Sequence, residues 1–156
     1  DGRVYVANTG SNAVTLFKDG KISKQVTTAG AKNTPLSGPA DVHVDTLGRV
    51  LVADNGNRRI LIFDRDLNFK QELSPDKYGF GSAGRMTSDE NGLVLIADPA
   101  QNQIRITGPD FQPLGRIVNS PERAGQLRGT GGVETVGRYM WVTDTGNKRV
   151  ILFRRE

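Results

Sequence analysis

The sequence contains no cysteine. That excludes disulfide staples, zinc–thiolate sites and thiol nucleophiles together. It holds one histidine, His43, too few for a His-based metal site, which usually takes three or more protein ligands. Aromatic residues make up 6% of the chain, with a single Trp. The stacking aromatics and dense basic stripe of a single-stranded RNA binder are not evident. No run approaches the roughly 20 apolar residues that span a bilayer, so no membrane span is expected. No segment shows a helical period with caps. Phosphate-binding loops, serine nucleophile elbows and metal-ligand clusters are missing as motifs. The stretch Gly79-Phe-Gly-Ser-Ala-Gly84 has the glycine spacing of a dinucleotide fingerprint, but no helix follows it, and it reads as a loop. No cofactor is expected. The net charge of +4 aids solubility and tolerates acidic partners, and it falls short of a dedicated nucleic-acid surface.

What the chain does have is glycine, 19 residues of it, and a repeat. Four segments align: Gly2–Asn8, Gly48–Asp54, Gly92–Asp98 and Arg138–Asp144. Their closing residues Asn8, Asp54, Asp98 and Asp144 stand 46, 44 and 46 positions apart. Six residues past each begins a second apolar run, at Val14, Ile60, Ile104 and Val150. Each unit reads as four short strands, a to d, rich in Val, Ile and Leu and bounded by Gly, Asn, Asp and Pro. In the second unit strand a is Asp41–Asp45, b Arg49–Ala53, c Arg59–Asp64 and d Phe69–Leu73. A period of 40–50 residues with four strands per unit predicts an all-β fold, a β-propeller of four-stranded antiparallel blades. The boundaries fall at approximately 1–35, 36–78, 79–126 and 127–156, with the first and last blades partial. The fourth unit carries its turn glycine, Gly137, one place early, which predicts a tighter a–b turn or a bulge.

The stretches Asp54-Asn-Gly-Asn-Arg-Arg-Ile60, Asp144-Thr-Gly-Asn-Lys-Arg-Val150 and the lead-in Gly38-Pro-Ala-Asp-Val-His-Val-Asp45 resemble the NHL repeat. The resemblance implies a propeller of about six blades, which needs roughly 270 residues at this period. The expectation is therefore a part of a longer chain, or a chain that closes a ring with copies of itself. Open strand edges at both ends are to be covered by other blades, subunits or a protein partner. The resemblance also brings an extracytoplasmic location as its expectation.

Several side chains are candidates for function. Asn8, Asp54, Asp98 and Asp144 are expected to be structural, bonding backbone N–H groups at the b–c corner. Arg59 and Arg149 are expected to pair with a neighbouring blade's Asp. Asp41 and His43, on strand a, are expected to line the central channel. In an antiparallel blade the b–c turns and the d–a connections share one face. That face carries Arg58, Lys77, Arg123, Arg128 and Lys148, which makes it the expected binding surface, because variable loops on a rigid scaffold are where binding usually lives. The opposite face should be acidic, through Asp19, Asp45, Asp64, Asp66, Asp89, Glu90 and Asp110.

Three functions compete. The first is a non-enzymatic binding or scaffold module. The second is a propeller enzyme, lyase- or lactonase-like, with its catalytic residues in blades beyond this chain. The NHL resemblance includes an amidating lyase whose blades place a zinc-binding His after Pro, but here Ala40 follows Pro39. The third is RNA binding through the basic face.

Overall fold

The computed structural model describes residues 2–118 and 125–154. Four antiparallel sheets follow one another along the chain, with three, four, four and three strands. The first holds β1 (Arg3–Asn8), β2 (Ala13–Lys18) and β3 (Lys21–Val26). A two-stranded hairpin, β4 (Thr28–Ala29) and β5 (Thr34–Pro35), leads into the second sheet. That sheet is β6 (Pro39–Val44), β7 (Val50–Asp54), β8 (Arg59–Phe63) and β9 (Phe69–Leu73). The third is β10 (Met86–Ser88), β11 (Val94–Asp98), β12 (Gln103–Thr107) and β13 (Pro113–Ile117). The fourth is β14 (Thr130–Val136), β15 (Tyr139–Asp144) and β16 (Arg149–Arg154).

Each sheet is a blade, and its two faces meet different neighbours because strand side chains alternate. Val50, Val52, Leu61 and Phe63 pack on Val14 and Leu16 of the first blade. Leu51, Ala53, Ile60 and Ile62 turn the other way, onto Met86, Val94 and Ile96 of the third. Leu95, Ala97 and Ile104 then meet Val133, Met140, Val142 and Ile151 of the fourth. Three apolar junctions therefore replace a single core. This explains why β7 and β8 are apolar apart from the paired Asp54 and Arg59, and buried at every position: both faces of the blade are covered.

The b–c corners of the first, second and fourth blades are each one turn of 3-10 helix, and in the second, third and fourth blades a buried carboxylate ties the corner to the connection that leads into its own blade. Asp54, fully buried, accepts from the Ser37 N–H at 2.7 Å, the Asn57 amide at 2.8 Å and Arg59 Nε at 2.7 Å. Asp144 accepts from the Arg128 N–H at 2.7 Å, the Asn147 amide and Arg149 Nε at 2.6 Å. Arg59 and Arg149 thus pair with the aspartate of their own blade, not a neighbour's. The reason is register: Asp54↔Arg59 and Asp144↔Arg149 are directly opposed on adjacent strands. The loop and the corner approach so closely that the Gly56 N–H meets the Ser37 carbonyl at 2.7 Å. A Cβ at Gly56 would stand 2.7 Å from that carbonyl oxygen, and one at Gly146 would stand 2.8 Å from the Arg128 Cβ. In the third blade the corner carries Ala100 and the glycine moves across the contact, to Gly81, where an added Cβ would meet the Ala100 Cβ at 2.9 Å.

Three features depart from the sequence expectation. A four-residue helix, α1 (Pro75–Tyr78), sits in the second d–a connection, begun by Pro75 and ended by Gly79 in the left-handed region. It is too short to leave a periodic trace. Asp45 and Asp89 do not contribute to an acidic surface. Both are buried, because each carboxylate accepts two N–H groups of its own a–b turn. Asp66 is exposed but paired to Lys18 at 2.8 Å. In the fourth blade, Val136 pairs with Tyr139 across a two-residue turn, and a register shift falls between Thr130 and Gly132. The early glycine therefore gives the tight turn, whereas the register shift lies at the other end of β14 and has a counterpart in β6, between Pro39 and Asp41.

Replacing Asp54 with Ala should cost about 3 kcal/mol, because the buried Arg59 guanidinium keeps only the Glu72 carboxylate, at 3.3 Å, and the Ser37 N–H loses its acceptor. Asn8→Ala should cost about 0.5–1.5 kcal/mol, because Asn8 is exposed and holds only the Ser11 N–H at 3.3 Å. Urea unfolding midpoints read the difference. Equal small losses would mean that the corner carboxylate does not hold the blade together.

Candidate functional site

Two places gather the chemistry-bearing side chains. The first is the inner edge of the arc, built by the leading strands β6, β10 and β14. Strand register puts Asp41 opposite Ala53 and His43 opposite Leu51, so both point toward the third blade. Asp41 Oδ2 accepts the Met86 N–H at 2.8 Å, and Arg85 Nη1 lies 3.9 Å from Asp41 Oδ1. His43 Nε2 lies 2.9 Å from Ser88 Oγ. Further along, Thr87 Oγ1 donates to Glu134 Oε1 at 2.7 Å. His43, Thr87 and Glu134 occupy equivalent places, opposite Leu51, Leu95 and Trp141.

The environment moves two of these groups away from their ordinary protonation. Burial lowers the His43 imidazole below its usual 6.5, against the opposing pull of Asp41, Asp45 and Glu134. Burial raises the Asp41 carboxyl above its usual range, against the Met86 N–H and the charges of Arg85 and His43. Desolvation of the charged form is the dominant cause for both. The result is a half-buried imidazole that is neutral at pH 7, in hydrogen-bond reach of a hydroxyl.

The second place is the loop face. Arg58, Lys77, Arg128 and Lys148 are exposed there. Lys77, on α1, lies over the Tyr78 ring at 5.3 Å, and Arg58 Nε reaches the Gly81 carbonyl at 3.4 Å. Arg123 lies outside the described residues. The face's motif carboxylates are turned inward: Asp54, Asp98 and Asp144 are all fully buried. Burial opposes ionisation of Asp144, but the Arg128 N–H, the Asn147 amide and Arg149 outweigh it and hold the carboxyl below its usual range. The glycine-rich stretch Gly79–Gly84 is a carboxylate cradle within the chain, since the N–H groups of Gly81 and Ser82 both donate to Asp98, at 2.8 and 3.0 Å.

Sequence reasoning missed one position. Asn12, Arg58, Asn102 and Lys148 each close a corner with φ between 50° and 54°. Asn12 accepts from the Gly38 N–H at 2.7 Å and Asn102 from the Gly129 N–H at 2.6 Å, each in the loop leading to the next blade. The first and third units lack the basic pair found at Arg58-Arg59 and Lys148-Arg149 and carry Asn at this place instead. The signal was available, because Asn is among the few non-glycine residues that visit this conformation routinely.

Radial four-stranded blades, with repeated corners on one face and leading strands along the inner edge, define a β-propeller. The NHL repeat family matches residues 36–63, which span β6 to β8 of the second blade. Among solved structures, the chain is similar to a streptogramin B lyase at 19% identity and a TM-score of 0.72, over 96% of this chain and 47% of that one. It is similar to a virginiamycin B lyase from Staphylococcus aureus at 12% identity and a TM-score of 0.68, over 99% and 52%. The WD40 propeller domain of Doa1 matches at 13% identity and a TM-score of 0.64, over 97% and 50%. At these identities the likeness is one of fold, and the chain spans about half the length of each structure. No curated protein matches the chain.

The lone His43 gives a clean probe of the inner edge. Its NMR titration midpoint should fall below 6.5 in the folded chain and return to the ordinary value in urea. A depressed imidazole pKa adds stability that is present above pH 6.5 and is lost as pH falls through the folded value. The Asp41 contribution runs the other way, present below its ordinary 3.8 and lost as pH rises, so the two windows separate. His43→Gln should flatten the fall in unfolding free energy as pH drops below 6.5. A folded midpoint at or above the ordinary value would contradict this burial.

Proposed function

We propose that the chain is a binding module that takes an acidic protein partner on its loop face. One observation supports this most directly. The motif carboxylates Asp54, Asp98 and Asp144 of that face are buried and held by internal donors, and Asp76 is the exposed acid among its described residues, whereas Arg58, Lys77, Arg128 and Lys148 stand exposed. The outward field of the face is therefore positive even though its sequence motifs are rich in Asp. Exposed cations of this kind set association rate and specificity more than affinity. The rigid corners below them, each stitched to a neighbouring loop, keep the cost of ordering the surface low on binding.

A second reading is enzymatic, and it rests on the inner edge. A neutral His43 within 2.9 Å of Ser88 Oγ, with Asp41 and Glu134 nearby, is the kind of perturbed cluster that marks reactive sites. Two of the similar folds are lyases, one of them also solved in a catalytically inactive form with quinupristin. On this reading the remaining catalytic groups come from further blades.

The readings separate by experiment. Binding to a poly-glutamate peptide should weaken about tenfold or more in the variant Arg58→Glu/Arg128→Glu/Lys148→Glu, and it should fall with added salt. Unchanged binding in that variant would remove the loop face from consideration. Tighter binding of single-stranded RNA than of the peptide would favour a nucleic-acid partner. Consumption of quinupristin, followed by mass spectrometry and abolished by His43→Ala, would favour the enzyme.

A further inference from the structure

The second, third and fourth blades are each latched to the blade before through one backbone N–H, and the latch comes in two forms. The N–H groups of Gly38, Ala83 and Gly129 occupy the same place. Each lies one residue past an N–H that the corner aspartate accepts, at Ser37, Ser82 and Arg128. Each donates to an asparagine in the b–c corner of the preceding blade. Gly38 reaches Asn12 at 2.7 Å, and Gly129 reaches Asn102 at 2.6 Å. Both acceptors are the left-handed residue that closes the corner, and both donors are glycines, with φ of 55° and 59°. Ala83 instead reaches Asn55, the first residue of its corner, at 3.1 Å, and Ala83 lies outside the left-handed region.

This exchange at the second junction frees Arg58. In the first and third blades the side-chain oxygen of the left-handed residue is taken by the next loop. In the second blade Asn55 holds that loop, so the left-handed place carries a side chain that the latch does not need. Arginine stands there against local preference, because a positive φ suits Asn better than Arg. A residue held against its conformational preference points to a role outside the scaffold. Its guanidinium has one internal contact, from Nε to the Gly81 carbonyl at 3.4 Å, and among the described residues no carboxylate pairs with it. The two Nη groups, the pair that forks onto a carboxylate, are left for an external acceptor. The other loop-face cations differ. Lys77 lies over the Tyr78 ring at 5.3 Å, and a lysine is a point charge without a fork. Arg128 serves the fold through its backbone, whose N–H and carbonyl hold Asp144 and Gly146.

We infer that Arg58 is the specificity-determining residue of the loop face, and that it takes one side-chain carboxylate of the acidic partner in a two-pronged contact. This rests on the binding role proposed above and narrows it. The partner is recognised by a carboxylate held at the rim where the second blade meets the third, rather than by the summed positive field of the face.

Arg58→Asn isolates this role, because Asn already closes the corners at Asn12 and Asn102 in the same conformation. Its affinity for a poly-glutamate peptide should fall about tenfold, with the urea midpoint unchanged. Arg58→Lys should recover only part of the loss, since it returns the charge without the fork. Arg128→Asn should change affinity by less than about twofold. Asn55→Ala should lower the urea midpoint, because the Ala83 N–H loses its acceptor, and it sets the scale of a lost latch. Equal losses of affinity in Arg58→Asn and Arg128→Asn mean a diffuse field; they overturn the inference and leave the loop face as the binding surface. Full recovery by Arg58→Lys overturns the two-pronged contact. If Arg58→Asn lowers the urea midpoint as much as Asn55→Ala does, Arg58 belongs to the scaffold and the inference fails. A parent chain that does not bind the peptide overturns both the inference and the reading beneath it.

Discussion

A carboxylate removed from water must be given donors, and much else in this structure follows from where those donors come from. At Asp54, Asp98 and Asp144 backbone N–H groups of the incoming d–a connection are always among them. The basic partner is optional, because Gln103 stands in the third blade where Arg59 and Arg149 stand in the second and fourth, and its amide reaches Asp98 at 3.2 Å. The loop contact is the part the fold cannot do without. It draws each connection onto the corner of its own blade, and this is why a small residue is needed on one side of the contact or the other. At the first corner the equivalent residue is Asn8, exposed and accepting the N–H of Ser11.

The same constraint shapes the charge of the surface. Acidic side chains at the corners and in the a–b turns at Asp45 and Asp89 are consumed by local backbone. Basic side chains are tied down less completely: Arg49 and Arg58 reach the loop carbonyls of Pro109 and Gly81, while Lys77, Arg128 and Lys148 stand exposed. A chain with a small formal excess of positive charge therefore shows a larger one on its loop face. The apolar residues follow a parallel logic. Alternation sends one set toward the preceding blade and one toward the following blade, so each blade is covered only where a neighbour exists.

The repeat made the fold legible. Spacing alone placed the strands of the second blade to within one or two residues, including Phe69–Leu73 as β9. The corner role of Asp54 was partly legible from residue type, because Asp favours backbone N–H groups, but the donor loop lies 17 residues earlier and no local pattern points to it. The pairing of Arg59 was misjudged for a related reason: cross-strand register fixes it, and register is visible only once the strands are paired. The burial of Asp45 and Asp89 was not legible at all, because a turn aspartate reads the same whether its carboxylate faces solvent or its own turn. His43 could be placed on a leading strand, whereas Ser88 as its neighbour required the docking of two blades 45 residues apart.

The left-handed corner residue gives the rim of the propeller an unusual freedom. Its side chain is exposed in every copy, at Asn12, Arg58, Asn102 and Lys148, and none of the apolar junctions depends on it. An Asn there latches onto the next loop, and a cation there reaches outward. One codon per blade thus decides whether that sector of the rim is locked shut or offered to solvent. Selection can therefore redraw the outer pattern of such a ring, sector by sector, without reopening the question of how it folds.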